Sequence, residues 1–195
     1  MEPVPFAFCL LPFLNPHDRQ SQRRTTTRGG DRIGLHHDDG HAAEAGRLRE
    51  RALAWFERHR NAVHGSAWLQ RAEARALGAT GRWVDARRAW TMLYTADPDE
   101  PAHLGGLGIA AAHLADSLEA HRLLTLLRED GRPWRFGEPR YQAARVAAAL
   151  GRTNDAIALL EDAIAEGADV RHVLHADPAL APLRRDSRFV RLGRP

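Results

Sequence analysis

A run of histidines and aspartates near the N-terminus has side chains of the kind that bind transition metals. Imidazole and carboxylate ligands suited to Zn or Ni come from His36, His37, Asp38, Asp39 and His41. Neither an HExxH motif nor a distant cysteine and histidine pair completes such a site. Asp38 or Asp39 serves equally well as the N-cap of the helix that follows, so the sequence predicts no metal site.

Two further features invite a catalytic or cofactor-binding interpretation. Gly106, Gly108 and Ala111 have the GxGxxA spacing of a dinucleotide fingerprint, but that fingerprint requires a preceding strand, and ADPDEPAHLG before it is typical of a turn. Cys9 has neither a helix N-terminus nor an obvious base beside it that would activate a thiol. We therefore predict a protein that is not an enzyme, with no catalytic residues and no cofactor.

The composition favours helices that pack together. The 195 residues are 44% hydrophobic and 27% charged, which fits one domain or a short repeat array and excludes a large multidomain enzyme. Alanine and leucine dominate while β-branched residues are few, and the former are the better helix formers. We predict an all-α fold.

The charge of the chain is carried by arginine alone and is unevenly distributed. All 28 basic residues are arginines, a pattern typical of a coding bias, so each one carries less information. The formal net charge of +3 divides into +2 for residues 1–66, −3 for residues 67–170 and +4 for residues 171–195. A single cysteine excludes an intramolecular disulfide framework and is compatible with the reducing cytoplasm, where we expect the protein.

Residues 1–40 are predicted to form a disordered arm. The apolar run Val4–Leu14 is too short to cross a bilayer, which takes about 20 residues in a helix. Glu2 and the interspersed prolines do not suit a signal peptide. The polar stretch Asn15–Gly34 has five arginines for nucleic acid or an anionic surface, but no aromatic residue to stack on a base. We favour a solvated tail.

Three segments of the chain share a pattern with a period near 34 residues. The alanines in register are Ala86, Ala120 and Ala156, which lie 34 and 36 residues apart. Upstream of each alanine, a first helix brings a further small residue into register: Ala74, Gly108 and Ala144. A period of this length predicts repeated pairs of helices.

These residues resemble the tetratricopeptide repeat (TPR) family, in arrays of bacterial type, whose unit is a 34-residue helix-turn-helix with small residues where its two helices cross. The second repeat matches best, with apolar residues of the expected size at Leu104, Leu107, Gly108, Ala111, Ala120, Leu124 and Leu127. The first repeat departs at Gln70 and Glu73, where an aromatic residue and a leucine are usual, and the third departs at Arg140. The resemblance implies a short right-handed α-solenoid.

The resemblance also predicts how the chain is divided. The three TPR-like repeats are predicted at 67–100, 101–136 and 137–170. Residues 41–66 are an N-terminal cap or degenerate repeat, with one helix from about 41 to 60. Residues 171–195 are a C-terminal cap, and their DPALAPLRRDSRF resembles the closing segment of bacterial arrays that follow a kinase, cyclase or DNA-binding domain.

In this family the first helices of the repeats line a concave face that usually binds peptides. Steps of three and four residues along those helices select Trp68, Arg71, Arg75, Ile109, His113, Tyr141 and Arg145. Arginines that bind carboxylates bidentately, beside aromatic rings, favour an extended acidic peptide or a C-terminal carboxylate. The alternative is that these arginines are solvated and paired with neighbours such as Glu73 or Glu138.

The sequence therefore favours a non-catalytic scaffold or adaptor that binds a protein or peptide. One alternative is an oligomerisation or regulatory module derived from a bacterial signalling protein, which predicts self-association. The other is an Arg-rich accessory protein that binds nucleic acid, which predicts retention that falls steeply with salt. We expect no membrane span and do not expect nucleic acid as the partner.

Overall fold

The structure of the protein is a computed structural model that describes residues 37–193 and, within them, the side chains other than those of residues 37–43 and 45. Every regular element in this range is helical, with nine α-helices and one 3-10 helix. The all-α prediction is thus confirmed for residues 37–193. Residues 1–36 of the predicted arm, with Cys9 and His36, and the side chains of the histidine and aspartate run lie outside what is described. The last four residues of the predicted arm, 37–40, are not irregular, because the first helix begins at His37.

Three pairs of helices form the centre of the described chain. The first pair is α3 (Ala67–Ala79) with α4 (Trp83–Ala96), the second is α5 (Pro101–His113) with α6 (Ser117–Glu129), and the third is α7 (Glu138–Ala149) with α8 (Thr153–Ala165). The helices of each pair pack together, and α4 and α6 also pack against the first helix of the next pair. One pair lies within each of the predicted segments 67–100, 101–136 and 137–170.

The turn inside each pair has the same geometry three times. Its middle residue is left-handed, with φ of 78° at Gly81, 60° at Ala115 and 73° at Gly151. The next residue donates its backbone N–H back to the first helix at 2.9 Å: Arg82 to Leu77, Asp116 to Ala111 and Arg152 to Ala147. This bond satisfies a carbonyl at the helix end, and glycine adopts the required φ without a Cβ clash.

Small residues occupy the interior of the stack. Ala86, Ala120 and Ala156, the three alanines in register, are fully buried. Helix α5 is the central element, because its residues from Pro101 to Ala111 are all buried. The core therefore runs through the pairs as one continuous cluster.

The glycines of α5 permit contacts between pairs. A Cβ on Gly106 would collide with the Trp90 ring of α4, and a Cβ on Gly108 would lie 2.6 Å from a methyl group of Val146 in α7. We expected Gly108 to lie where the two helices of its own pair cross. Its nearest neighbour is instead in the following pair, so Gly108 sets the approach of α5 to α7.

The segment predicted as an N-terminal cap or degenerate repeat contains one helix more than we expected. Helix α1 (His37–Arg58) is followed by the short α2 (Arg60–His64), and both pack on α3. Gln70 donates a side-chain hydrogen bond to the His64 carbonyl at 2.9 Å, and Glu73 pairs with Arg60 at 2.7 Å. The two polar positions that depart from the TPR pattern thus bind α2 to α3.

The C-terminal segment covers the last pair. Its 3-10 helix (Pro178–Leu183) packs on α7 and α8, and α9 (Ser187–Leu192) packs on α8. Four of its large apolar side chains are fully buried: Leu174, Leu180, Leu183 and Phe189. This burial removes the apolar edge of α7 and α8 from water.

Candidate functional site

The first helices of the three pairs, α3, α5 and α7, present the surface that we call the first-helix face. The seven residues predicted for the groove belong to these helices. Trp68, Arg71 and Arg75 lie on α3, Ile109 and His113 on α5, and Tyr141 and Arg145 on α7.

The two predicted residues of α7 bind an aspartate of the C-terminal segment. The Tyr141 hydroxyl donates to Oδ2 of Asp177 at 2.6 Å, and Nε of Arg145 lies 2.8 Å from the same oxygen. The side chains of Arg145 and Asp177 are only 13% and 8% exposed. Asp177 is also the N-cap of the 3-10 helix, where its Oδ1 accepts from the Ala179 N–H at 2.9 Å. Tyr141 and Arg145 therefore hold the C-terminal segment on α7.

The protonation states of this trio follow from burial and charge. Burial alone would raise the pKa of Asp177, but the charge of Arg145 and the hydrogen bonds from Tyr141 and Ala179 outweigh it, and the pKa lies below its ordinary value. Burial alone would lower the pKa of Arg145, whereas Asp177 and Tyr141 raise it overall. Burial and the charge of Asp177 raise the pKa of Tyr141. At neutral pH a carboxylate thus meets a guanidinium and a neutral phenol.

A chain of hydrogen bonds extends from Arg145 to the first turn of α7. Nη1 of Arg145 donates to Oε1 of Gln142 at 2.7 Å, and Nε2 of Gln142 donates to Oε1 of Glu138 at 2.7 Å. Gln142 is 2% exposed and lies so close to Gly105 that a Cβ there would collide with its amide. Burial raises the pKa of Glu138 despite the hydrogen bond from Gln142 and the charge of Arg145.

The α3 part of the first-helix face is open by comparison. Nη1 of Arg71 lies 3.6 Å from Oε2 of Glu100, the N-cap of α5. Trp68 is 45% exposed, although it is a large aromatic side chain. Arg75 is exposed as well. Within residues 37–193 it has no carboxylate within the 4.0 Å of an ion pair.

Arg75 nevertheless belongs to the same electrostatic cluster as the α7 side chains. Desolvation by the surrounding protein lowers its pKa first, and the charges of Arg145 and Arg71 lower it further, whereas Asp177 and Tyr141 raise it. Side chains of α3 and α7 thus approach one another over α5. The structure brings together four of the seven predicted residues: Arg71, Arg75, Tyr141 and Arg145.

The two predicted residues of α5 lie elsewhere. Ile109 is 8% exposed and belongs to the hydrophobic core. His113 stacks on Trp83 of α4, with ring centroids 3.8 Å apart and planes at 4°. Burial lowers the pKa of His113. This residue therefore joins two neighbouring pairs at the far end of α5.

Sequence reasoning missed Gln142 and two carboxylates of the first-helix face. Glu100 and Asp177 each precede a proline at a helix start, a signal for an N-cap that we did not use to place a charge. Glu73 and Glu138 were the carboxylates considered for these arginines. Glu73 pairs with Arg60 instead, and Glu138 accepts its hydrogen bond from Gln142.

A pocket of about 440 Å³ lies away from this cluster, between α1, α2, α3 and α4. Its lining is mixed, with apolar residues such as Leu53, Leu77 and Met92 beside several charged ones. Two of its charged pairs are internal, Arg60 with Glu73 and Arg82 with Asp85. We place the candidate site on the first-helix face, where Trp68 and Arg75 are both exposed on α3, and not in this pocket.

The described part of the chain has neither a metal-binding cluster nor a membrane-spanning helix. No group of three or more His, Cys, Asp or Glu side chains there is arranged to hold a metal ion. None of its helices combines the length and the apolar character that crossing a bilayer requires. Comparison with protein-family models, with curated proteins and with solved structures finds no match to the chain.

Proposed function

We propose that the chain is a short right-handed α-solenoid of the TPR type. The support is the threefold recurrence of one turn, with Gly81, Ala115 and Gly151 left-handed at positions 34 and 36 residues apart. In this proposal α3 to α8 form three units, α1 and α2 are the N-terminal cap, and the segment after α8 is the C-terminal cap. The first-helix face is then the concave face.

The function that this face supports best is that of a non-catalytic scaffold or adaptor, in the cytoplasm, which binds a peptide segment of another protein. The observation that carries this proposal is the exposed pair Trp68 and Arg75 on α3. An aromatic ring offers a large contact area at low entropic cost, and an arginine offers directional hydrogen bonds; both residue types are frequent at the energetic centres of interfaces.

The test is selection of peptides from a random library displayed on phage, with the full chain immobilised. We expect the selected peptides to lose affinity for the Trp68→Ala and Arg75→Gln variants. Matched controls are Trp134→Ala and Arg88→Gln, because Trp134 is 83% exposed on the α6–α7 loop and Arg88 is exposed on α4. If no peptide is selected, or if all four variants bind equally, the proposed site is wrong.

A second candidate function, self-association, is favoured by apolar residues exposed at equivalent positions of α4 and α6. Val84 and Leu118 are 66% and 86% exposed, and Met92 and Leu126 are 62% and 40% exposed. Light scattering during size-exclusion chromatography tests this candidate. A dimer that becomes a monomer in a Met92→Glu, Leu118→Glu variant would support it, and a monomer at high concentration of the unmodified chain would exclude it.

A further inference from the structure

The charges of the first-helix face are balanced. Three arginines converge there, but so do three carboxylates, from the cap of α5, the first turn of α7 and the C-terminal segment. The arginines are Arg71, Arg75 and Arg145, and the carboxylates are Glu100, Glu138 and Asp177. A uniformly acidic peptide would therefore meet as many negative charges as positive ones.

Two of the three opposite-charge pairings are already made within the chain. Arg145 and Asp177 are 2.8 Å apart and nearly buried. Arg71 and Glu100 are 3.6 Å apart and about 30% exposed. Arg145 is therefore committed to a nearly buried pair, whereas Arg71 makes a single long contact that lies partly in solvent.

One cation and one anion of the face remain without an opposite charge. Within residues 37–193 neither Arg75 nor Glu138 has an ion-pair partner within 4.0 Å. Both lie near Arg145: beside the larger effect of burial, its charge lowers the pKa of each, and its Nη1 donates to the Gln142 amide that in turn holds Glu138. Arg75 and Glu138 thus belong to one cluster, one on α3 and the other on α7.

Glu138 is held in place by the protein through one of its two carboxylate oxygens. Its Oε1 accepts from Gln142, which is itself buried and held by Arg145. Among the described residues, no side-chain hydrogen bond reaches Oε2. An oriented carboxylate of this kind binds an ammonium or guanidinium group without first losing side-chain entropy.

We propose that the first-helix face recognises a peptide segment of mixed charge, whose acidic side chain binds Arg75 and whose basic side chain binds Glu138. Trp68, on the same helix as Arg75, adds an aromatic surface for the aliphatic part of the segment. This inference rests on the proposed peptide-binding function and names the class of partner. It replaces the uniformly acidic peptide that the arginines alone suggested.

The test uses peptides selected on the full chain as described above. Each peptide is resynthesised with its acidic residue changed to the amide, with its basic residue changed to glutamine, and with both changes, and its affinity is measured by calorimetry. We expect each single change to weaken binding about tenfold, the scale of close charge pairs at interfaces. The same measurements are made with the Arg75→Gln and Glu138→Gln variants, after circular dichroism has shown that both fold.

If these two charge pairs form, matching changes in the peptide and in the protein should not add in their effect on affinity. With Arg75→Gln, changing the acidic residue of the peptide should have little further effect, and with Glu138→Gln the same should hold for the basic residue. Peptides that need only their acidic residue, and bind Glu138→Gln more tightly than the unmodified chain, would overturn the inference and leave the proposed function standing. Peptides that are indifferent to Trp68→Ala and Arg75→Gln would overturn the proposed function itself.

Discussion

The two ends of the first-helix face use the same kinds of residue for different purposes. Arg75 on α3 and Arg145 on α7 occupy the same repeat position, as do Arg71 and Tyr141. At the α7 end, Asp177 covers Tyr141 and Arg145 and pairs with them in a buried cluster. At the α3 end no segment within residues 37–193 covers Arg75 in this way, and its side chain is exposed.

This difference shows that residue type and repeat position do not decide whether an arginine is structural. The deciding feature is the C-terminal segment, whose aspartate returns to α7 and excludes water from Arg145. The buried arginine then contributes to stability, whereas the exposed one is available to a ligand.

Replacing each arginine by methionine should separate the two ends most strongly. Arg145→Met leaves the buried Asp177 without its cation and should lower the free energy of unfolding by about 3–5 kcal/mol. Arg75→Met removes an exposed side chain and should change it by less than about 0.5 kcal/mol. Urea denaturation of both variants measures the difference. Equal losses would show that Arg145 is no more structural than Arg75.

Acid should destabilise the closed end of the first-helix face, which is the α7 end where Asp177 covers Tyr141 and Arg145, in the unmodified protein. The pKa of Asp177 is lower in the folded chain than its ordinary value of 3.8, so the unfolded chain binds the proton more readily. The stabilisation is therefore complete above the ordinary pKa and is lost as the pH falls through the lowered one. Urea denaturation at a series of pH values should show a shallower acid loss for Asp177→Asn than for the unmodified chain. Parallel curves would contradict the pairing.

The hydroxyl of Tyr141 should stabilise the folded protein, and the hydroxyl of Tyr94 should not. Tyr141→Phe removes the hydrogen bond to the charged Asp177 and should cost about 1.5–3 kcal/mol. Tyr94 is the other tyrosine of the chain, and its hydroxyl makes no hydrogen bond to the described residues, so Tyr94→Phe is the matched control. Thermal unfolding followed by circular dichroism compares them. A similarly small change in melting temperature for both variants would show that apolar contacts, and not the Tyr141 hydrogen bond, stabilise the closed end.

The contact between α5 and α7 should tolerate less added side-chain volume than helix α1 does. Gly108→Ala places a Cβ 2.6 Å from Val146 and should destabilise the protein by about 1–3 kcal/mol. Gly46→Ala in α1, where an added Cβ has nothing within 4 Å, should stabilise it by up to about 1 kcal/mol. The sign of the shift in melting temperature distinguishes the two. A gain at both sites would mean that α5 and α7 can separate without loss.

Much of the described fold was predictable because its signals are local. Ala86, Ala120 and Ala156 marked the helices by their spacing, and all three are fully buried. The short helix α2 was missed, because its few residues carry no apolar period and its support comes from Gln70 and Glu73 on another helix. His113 was assigned to the groove from helical spacing alone, and helical spacing does not predict that its ring stacks on Trp83 of another helix.

By itself the sequence determined the helical composition, the spacing of the small residues and the positions of the turns. These depend on neighbours within one or two turns of the chain, and residue type specifies them directly. The tertiary structure alone decided which arginine is buried and which is free, because Asp177 lies 36 residues after Tyr141 and meets it only when the C-terminal segment folds back. Burial and pairing are properties of that contact, since the strength of a charge depends on the water and the partners around it.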